Sequence, residues 1–219
     1  MYKITALILA MMLVWSCKKE QNDETVPTNS TSVTDIIPRY EIVEISTDWG
    51  NIHIWLHKNT PLHRTNFIKL ADSGFYNNTT FHRIIPGFMI QGGDPNSKDS
   101  DPNNDGQGGP GYTIPAEILD TFRNDRGTIA AARLGNQVNP LKASSGSQFY
   151  INVVNNNSLN GEYTVFGRVI SGMNVADSIV IRPRNTTNNR PLIDIKMQVK
   201  VLRLSKTEIQ NQFAFVVPE

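Results

Sequence analysis

Residues 81–95 read FHRIIPGFMIQGGDP. Ile84, Ile85, Phe88, Met89 and Ile90 are strand formers, and Pro86-Gly87 breaks them with turn chemistry. The stretch is therefore predicted as a strand interrupted by a tight turn, with Arg83 set among apolar neighbours. A long loop of Gly, Asn, Asp and Pro follows over 92–111. Upstream, residues 39–57 (RYEIVEISTDWGNIHIWLH) alternate apolar and polar twice around Asp48–Asn51, the pattern of a β-hairpin. Thr60-Pro61 then opens a helix over 61–73, in which Phe67, Ile68, Leu70 and Ala71 recur at helical spacing before Gly74 stops the run. Downstream, short strands are predicted near 128–132, 148–153, 164–169 and 193–204, with a short helix over 174–179. Many short strands, frequent turn signals and two helices point to an antiparallel β-barrel or sandwich.

Composition narrows the function. The 219 residues carry 21 Lys+Arg and 20 Asp+Glu. Lys3 is the only charged residue before Cys17, so from Cys17 onward 20 positive side chains face 20 negative ones. That balance argues against nucleic acid as a partner, because phosphates demand a positive surplus. Hydrophobic residues at 39% suffice for a packed core. The single Cys excludes an internal disulfide framework and a cysteine-rich metal site.

The first 16 residues read as an address. Lys3 supplies a positive start, and Ile4 to Trp15 form an apolar run of 12 residues. As a helix the run spans about 18 Å, short of a roughly 30 Å hydrocarbon core, so it is read as a signal peptide. It ends Leu13-Val14-Trp15-Ser16-Cys17, which resembles the lipobox of bacterial lipoproteins. Cleavage before Cys17 and lipidation of its thiol would anchor the chain stably in the cell envelope, on the outer membrane or its periplasmic side. Residues 17–38 are largely polar and read as a flexible tether, 39–206 as the folded domain, and 207–219 as a C-terminal extension. The apolar Phe213, Phe215, Val216 and Val217 of that extension must pack against something.

Common catalytic signatures are absent. The four His (His53, His57, His63, His82) form no HExxH motif. His53 and His57, four apart on a predicted strand, are read as surface residues. Gly146-Ser147-Gln148 lacks the second Gly of a nucleophile elbow. The G-x-G-x-x-G match over 106–111 neither follows a strand nor opens a helix, so it is not read as a dinucleotide site. Asp101-x-Asn103-x-Asp105-Gly106 reproduces the first half of a calcium loop. Tyr112 stands where the bidentate Glu belongs, so a solvated, turn-rich insertion is favoured over a structural calcium site.

Four blocks remain: FHRIIPGFMIQGGDP (81–95), GTIAAARLG (127–135), SSGSQFYI (144–151) and LNGEYTVFGRVISGM (159–173). In this order and spacing they resemble the cyclophilin family of peptidyl-prolyl cis–trans isomerases, over roughly residues 40–204, with wording like that of the bacterial branch. The resemblance implies a mainly β fold, a closed eight-stranded antiparallel β-barrel capped by two short helices. It implies isomerisation of X-Pro bonds in folding proteins, no cofactor, and proline-containing peptide segments as partners. A monomer is expected. By the same resemblance Arg83 is the catalytic group, bonding the substrate carbonyl before proline and favouring a pyramidal proline nitrogen, with Gln91 supporting it. Phe88, Met89, Tyr150 and Leu159 would build the proline pocket, and Tyr163 its rim. Ala132 and Arg133 would bind the residue before proline through their backbone, and Gln148 would add a polar contact.

This chemistry suits the missing nucleophile. The barrier to prolyl rotation, about 18–20 kcal/mol, comes from amide resonance, and lowering it requires no covalent step. An acceleration of about 10⁵ asks for roughly 7 kcal/mol of preferential binding to the twisted amide. The alternative reading is a proline-binding chaperone or docking module of the same fold with little turnover. Tyr150 in place of the family's usual Phe, and Ser158 in place of a common Trp, keep that alternative in play beside the isomerase reading. In the family that Trp helps hold cyclosporin, so weak cyclosporin binding is expected here. A titration giving a low-micromolar or tighter dissociation constant would contradict it.

Overall fold

The structure is a computed structural model that describes residues 37–218. The signal peptide, Cys17 and nearly all of the tether lie outside the described residues. Strands β1 (Tyr40–Thr47) and β2 (Gly50–Leu56) form the expected hairpin, followed by α1 (Pro61–Asp72). Next come β3 (Arg83–Ile85) and β4 (Met89–Gly92), the two halves of the stretch broken at Pro86-Gly87. Then follow β5 (Thr113–Ile114), β6 (Thr128–Ala131), β7 (Ser144–Ser145), β8 (Phe149–Asn152), β9 (Val165–Ser171), α2 (Met173–Val180), β10 (Gln198–Leu204) and α3 (Lys206–Phe213). Among the described residues no helix is long and apolar enough to cross a membrane.

Eight strands form one antiparallel sheet in the order β10-β1-β2-β9-β6-β8-β4-β3, and β5 pairs with β7 apart from it. The fold is mainly β, as expected, but the closed barrel is corrected to an open, curled sheet. Its edge strands β3 and β10 share no ladder. The chain before β10 instead meets the chain before β3 in an isolated bridge, Thr80 to Lys196, with Phe81 N donating to Ile195 O at 2.9 Å. The short edge β3 has its Ile84 N–H taken by Asn189 O at 2.9 Å, so a loop and not a strand satisfies that edge. The strand expected over 193–204 accordingly joins the ladder only from Gln198 onward.

The two-residue period of the strands sorts side chains onto two faces. Val43, Ile45, Ile52, Ile54, Ile84, Ile90, Ile129, Phe149, Ile151 and Phe166 enter the main core beneath α1 and α2. The N-terminus of α1 is capped from a distance. Thr60 makes no side-chain capping bond; the Glu117 carboxylate accepts from Leu62 N (3.0 Å) and His63 N (2.9 Å) instead. An anion is the better partner for the positive end of a helix.

A third helix corrects the expectation of two. Ser205 Oγ accepts from Glu208 N while Glu208 Oε2 accepts from Ser205 N, a complete capping box. Ile209 and Val217 are buried against Ile42 and Trp55, with Phe213 and Phe215 alongside. The extension therefore covers the apolar side chains of β1 and β2 that point away from the main core.

The surface reading of two histidines is also corrected. His53 is half-buried, packed at a tilt against Phe213 (4.5 Å between centroids, 40° between ring planes) and 2.8 Å from Glu44. His57 stacks on Phe122 at 4.1 Å, and burial pushes it down to about 4. The outer faces of these strands are covered, so alternation did not mean exposure.

Truncating Ile209 to Ala should cost about 2–4 kcal/mol, the range for deleting a fully buried aliphatic group. Urea unfolding would measure it, and an unchanged midpoint would mean that the extension is not part of the cooperative unit.

Candidate active site

The register of the sheet builds the site. Arg83 pairs with Gln91, Gln91 with Tyr150, Tyr150 with Ala130, and Ala130 with Val165. These five residues form one row across β3, β4, β8, β6 and β9, and side chains in a row project from the same face. Ile85 pairs with Met89 in the next row. Met89, Ala130, Tyr150 and Val165 are buried in an apolar cluster of their own, with Phe88, Phe122, Leu159 and Tyr163 packed at its edge. It is separate from the main core because intervening residues such as Ile84, Ile90 and Ile151 point the other way.

A cavity of about 190 Å³ opens on this cluster, lined by Arg83, Phe88, Met89, Gln91, Ala132, Arg133, Tyr150, Leu159 and Tyr163. The structure thus gathers every residue expected by resemblance at this one cavity, except Gln148. Gln148 stands one step behind: Arg83 Nη1 donates to Gln91 Oε1 (3.1 Å), and Gln91 Nε2 donates to Gln148 Oε1 (3.0 Å). Gln148 Nε2 in turn donates to Gly106 O (3.0 Å) and Gly108 O (2.8 Å). The buried Asp94 carboxylate holds the same loop, accepting from Asn96 N (2.8 Å), Gly108 N (3.3 Å) and Gly106 N. A Cβ at Gly108 would collide with that carboxylate, so the close approach needs glycine.

Arg83 is half-buried, and its side-chain hydrogen bond is to a neutral amide. Among the described residues no carboxylate lies within ion-pair distance of it. Burial pushes its pKa below the usual guanidinium value, against a smaller opposite effect of Tyr163. It is still a cation at neutral pH, because a guanidinium is far too strong a base to lose its proton there. A charged group with spare donors beside a dry apolar wall can withdraw charge from a polar bond placed there.

Arg133 is handled in the opposite way. Its Nη2 meets Glu162 Oε2 at 2.9 Å, its Nε donates to Glu162 O at 2.7 Å, and the guanidinium lies 4.7 Å over the Tyr163 ring. Lys142 holds the other Glu162 oxygen at 2.8 Å. Tyr163 meets Tyr150 edge-on, 5.7 Å between centroids. The backbone expectation divides between two residues. Ala132 N donates to Gln148 O and Ala132 O accepts from Ser145 N, so those groups serve the fold. The backbone N–H and C=O of Arg133 make no hydrogen bond among the described residues.

The Tyr150 hydroxyl has a buried partner, Asn124 Oδ1 at 2.8 Å. Burial also raises the phenol pKa strongly. Asn124 is fully buried and donates from Nδ2 to Leu159 O at 3.0 Å, tying the floor of the cavity to one wall. Asn124, Glu162 and Asp94 were missed by sequence reasoning. Asp94 and Glu162 lie inside the quoted blocks 81–95 and 159–173, but their partners are set across the fold, and Asn124 lies outside every block.

The half-motif of a calcium loop is committed elsewhere. Asp105 Oδ2 lies 2.5 Å from Arg190 Nε, and Asp101 Oδ1 accepts from Asn103 N at 3.0 Å. Among the described residues no group of three or more His, Cys, Asp or Glu side chains is arranged to hold a metal ion.

Residues 42–201 match the family described as cyclophilin type peptidyl-prolyl cis-trans isomerase/CLD. A peptidyl-prolyl cis-trans isomerase of Acinetobacter baylyi is 38% identical over 179 residues, covering 75% of this chain and 88% of that one. Peptidyl-prolyl cis-trans isomerase A of Dickeya dadantii is 41% identical over 147 residues, 63% of this chain and 70% of that one. The crystal structure of a Cryptosporidium parvum cyclophilin in the presence of the dipeptide Ala-Pro superposes with a TM-score of 0.65 at 31% identity, covering 74% of this chain and 98% of that one.

Replacing Tyr150 by Phe should lower stability by about 1–2 kcal/mol, since it leaves the buried Asn124 oxygen with only a long bond to Asn152. Asn124→Ala should cost more, because the bond to Leu159 O is lost as well. Equal urea midpoints for wild type and Tyr150→Phe would show that the hydroxyl bond contributes nothing.

Proposed function

The chain belongs to the cyclophilin-type peptidyl-prolyl cis-trans isomerases, and from that premise we propose that it works in the bacterial cell envelope, lipid-anchored at Cys17, on proline segments of folding proteins. The observation that carries the catalytic part is the half-buried Arg83, unneutralised, at the edge of an apolar cavity. The proline ring enters among Phe88, Met89, Tyr150 and Leu159. The backbone of Arg133 pairs with the residue before proline and holds that side of the amide still. Arg83, aimed by Gln91 and Gln148, donates to the substrate carbonyl and favours a pyramidal proline nitrogen. Amide resonance then falls as the bond turns. Tyr163, pinned by Arg133, closes the rim.

Rotation needs a site that binds the twisted amide better than either planar form. A fixed guanidinium in a low-dielectric cavity does this without reorganising when the amide twists. The envelope location rests on Leu13-Val14-Trp15-Ser16-Cys17 and on the polar stretch that follows. Cyclosporin is held weakly, since the exposed Ser158 offers little apolar surface.

The test is NMR exchange of a short Ala-Pro peptide in the presence of the chain from Lys18 onward. Wild type should exchange the isomers rapidly, and Arg83→Ala should slow this by about 10²–10³-fold, the usual cost of removing one preorganised donor. Exchange that is slow with wild type but accompanied by peptide binding would favour the chaperone or docking reading. Fast exchange that survives in Arg83→Ala would remove the role given to that residue.

A further inference from the structure

A second cavity, of about 300 Å³, adjoins the first and shares Arg83 and Gln91 with it. Its remaining wall comes from His82, Pro102, Asp105, Gly106, Asn188 and Arg190. No part of the isomerase mechanism uses this space. His82 is 5% exposed, and neither of its ring nitrogens has a hydrogen-bond partner. An orphaned imidazole at the wall of a cavity is costly unless something polar occupies the space.

The chemistry of the wall selects the occupant. Arg190 is already held by Asp105 at 2.5 Å and Asp194 at 2.7 Å. Arg83 has no carboxylate partner and spends one N–H on Gln91. Burial lowers the His82 pKa, against the pull of Asp94 and Asp105, so the ring is neutral and offers one N–H. The Asn188 amide adds a donor from the exposed rim. A cation would be repelled by Arg83, and an apolar group would leave Arg83 and His82 without partners. A carboxylate fits.

We propose that this cavity is a second substrate subsite, which takes an acidic side chain of the peptide at a position flanking the isomerised bond. The inference rests on the first cavity holding the proline. A peptide seated there passes Arg83 and Gln91, which border both spaces, so a residue near the proline reaches the second one. The subsite is built by the 92–111 loop, through Pro102, Asp105 and Gly106, together with the loop that carries Asn188 and Arg190.

The test compares Glu with its neutral isostere Gln, one position at a time, over the three residues that precede Ala and the three that follow Pro in an Ala-Pro peptide. Full-length protein in detergent is used, and both exchange rates and binding are read by NMR. At one position Glu should outperform Gln by about fivefold, the value of one partly exposed charge-assisted hydrogen bond. The advantage should shrink in 0.5 M salt, a concentration well above the roughly 0.1 M at which surface charges are already screened. Asn188→Asp keeps an acceptor for Arg190 N but places a negative charge on the rim. It should abolish the Glu advantage, read as the Glu-to-Gln ratio within each protein so that any change in exchange of the parent Ala-Pro peptide cancels. Equal Glu and Gln peptides at all six positions, or a Glu advantage that survives in Asn188→Asp, would overturn the subsite. Failure to exchange the parent peptide would sink the proline-site reading instead, and the binding comparison would still decide the subsite.

Discussion

The site depends on one electrostatic constraint: Arg83 must stay charged, half-buried and without a carboxylate of its own chain beside it. A buried charge without a partner is costly, so the fold has to supply neutral donors and acceptors in fixed places. Gln91, Gln148 and the carbonyls of Gly106 and Gly108 do so as a chain. The chain ends on the loop that Asp94 secures through backbone N–H groups. An acid of the chain itself, fixed against Arg83 before any peptide binds, would stabilise the cation and occupy donors that the bound peptide needs.

The contrast with Arg133 follows the same logic. There the guanidinium is a structural clamp, and Glu162 satisfies it on two edges. Its side chain fixes Tyr163 while its backbone N–H and C=O have no hydrogen-bond partner among the described residues. Two arginines on one cavity therefore have different roles because one has a carboxylate partner and the other does not. Replacements that look unfavourable in isolation are absorbed similarly: the Tyr150 hydroxyl in an apolar wall is matched by Asn124, which also braces Leu159.

The sheet makes this arrangement possible by being covered on both faces. One set of alternate residues goes into the main core, and the other divides between the cavity cluster and the patch roofed by α3. That is why His53 and His57 are not surface residues, although both lie where alternation suggests solvent. Alternation reports which residues share a face; it does not report whether a later helix or loop covers that face.

The hairpin, α1, α2 and the break at Pro86-Gly87 were legible in the sequence, because local spacing and turn chemistry determine them. The residues of the cavity were legible too, through the motif blocks that resemble the cyclophilin family, which name Arg83, Gln91 and Tyr150 position by position; their common row came only from the register of the sheet. Helix α3 left a readable Ser205-x-x-Glu208 cap, but its partners Ile42 and Trp55 lie far back in the chain. Tertiary structure alone decided that the sheet stays open at β3, that Glu117 caps α1, and that Asn124 and Glu162 complete the site. The reason is common to all of these. Each is a polar group seeking its partner across the fold, and sequence spacing carries no information about which distant donor will meet which acceptor.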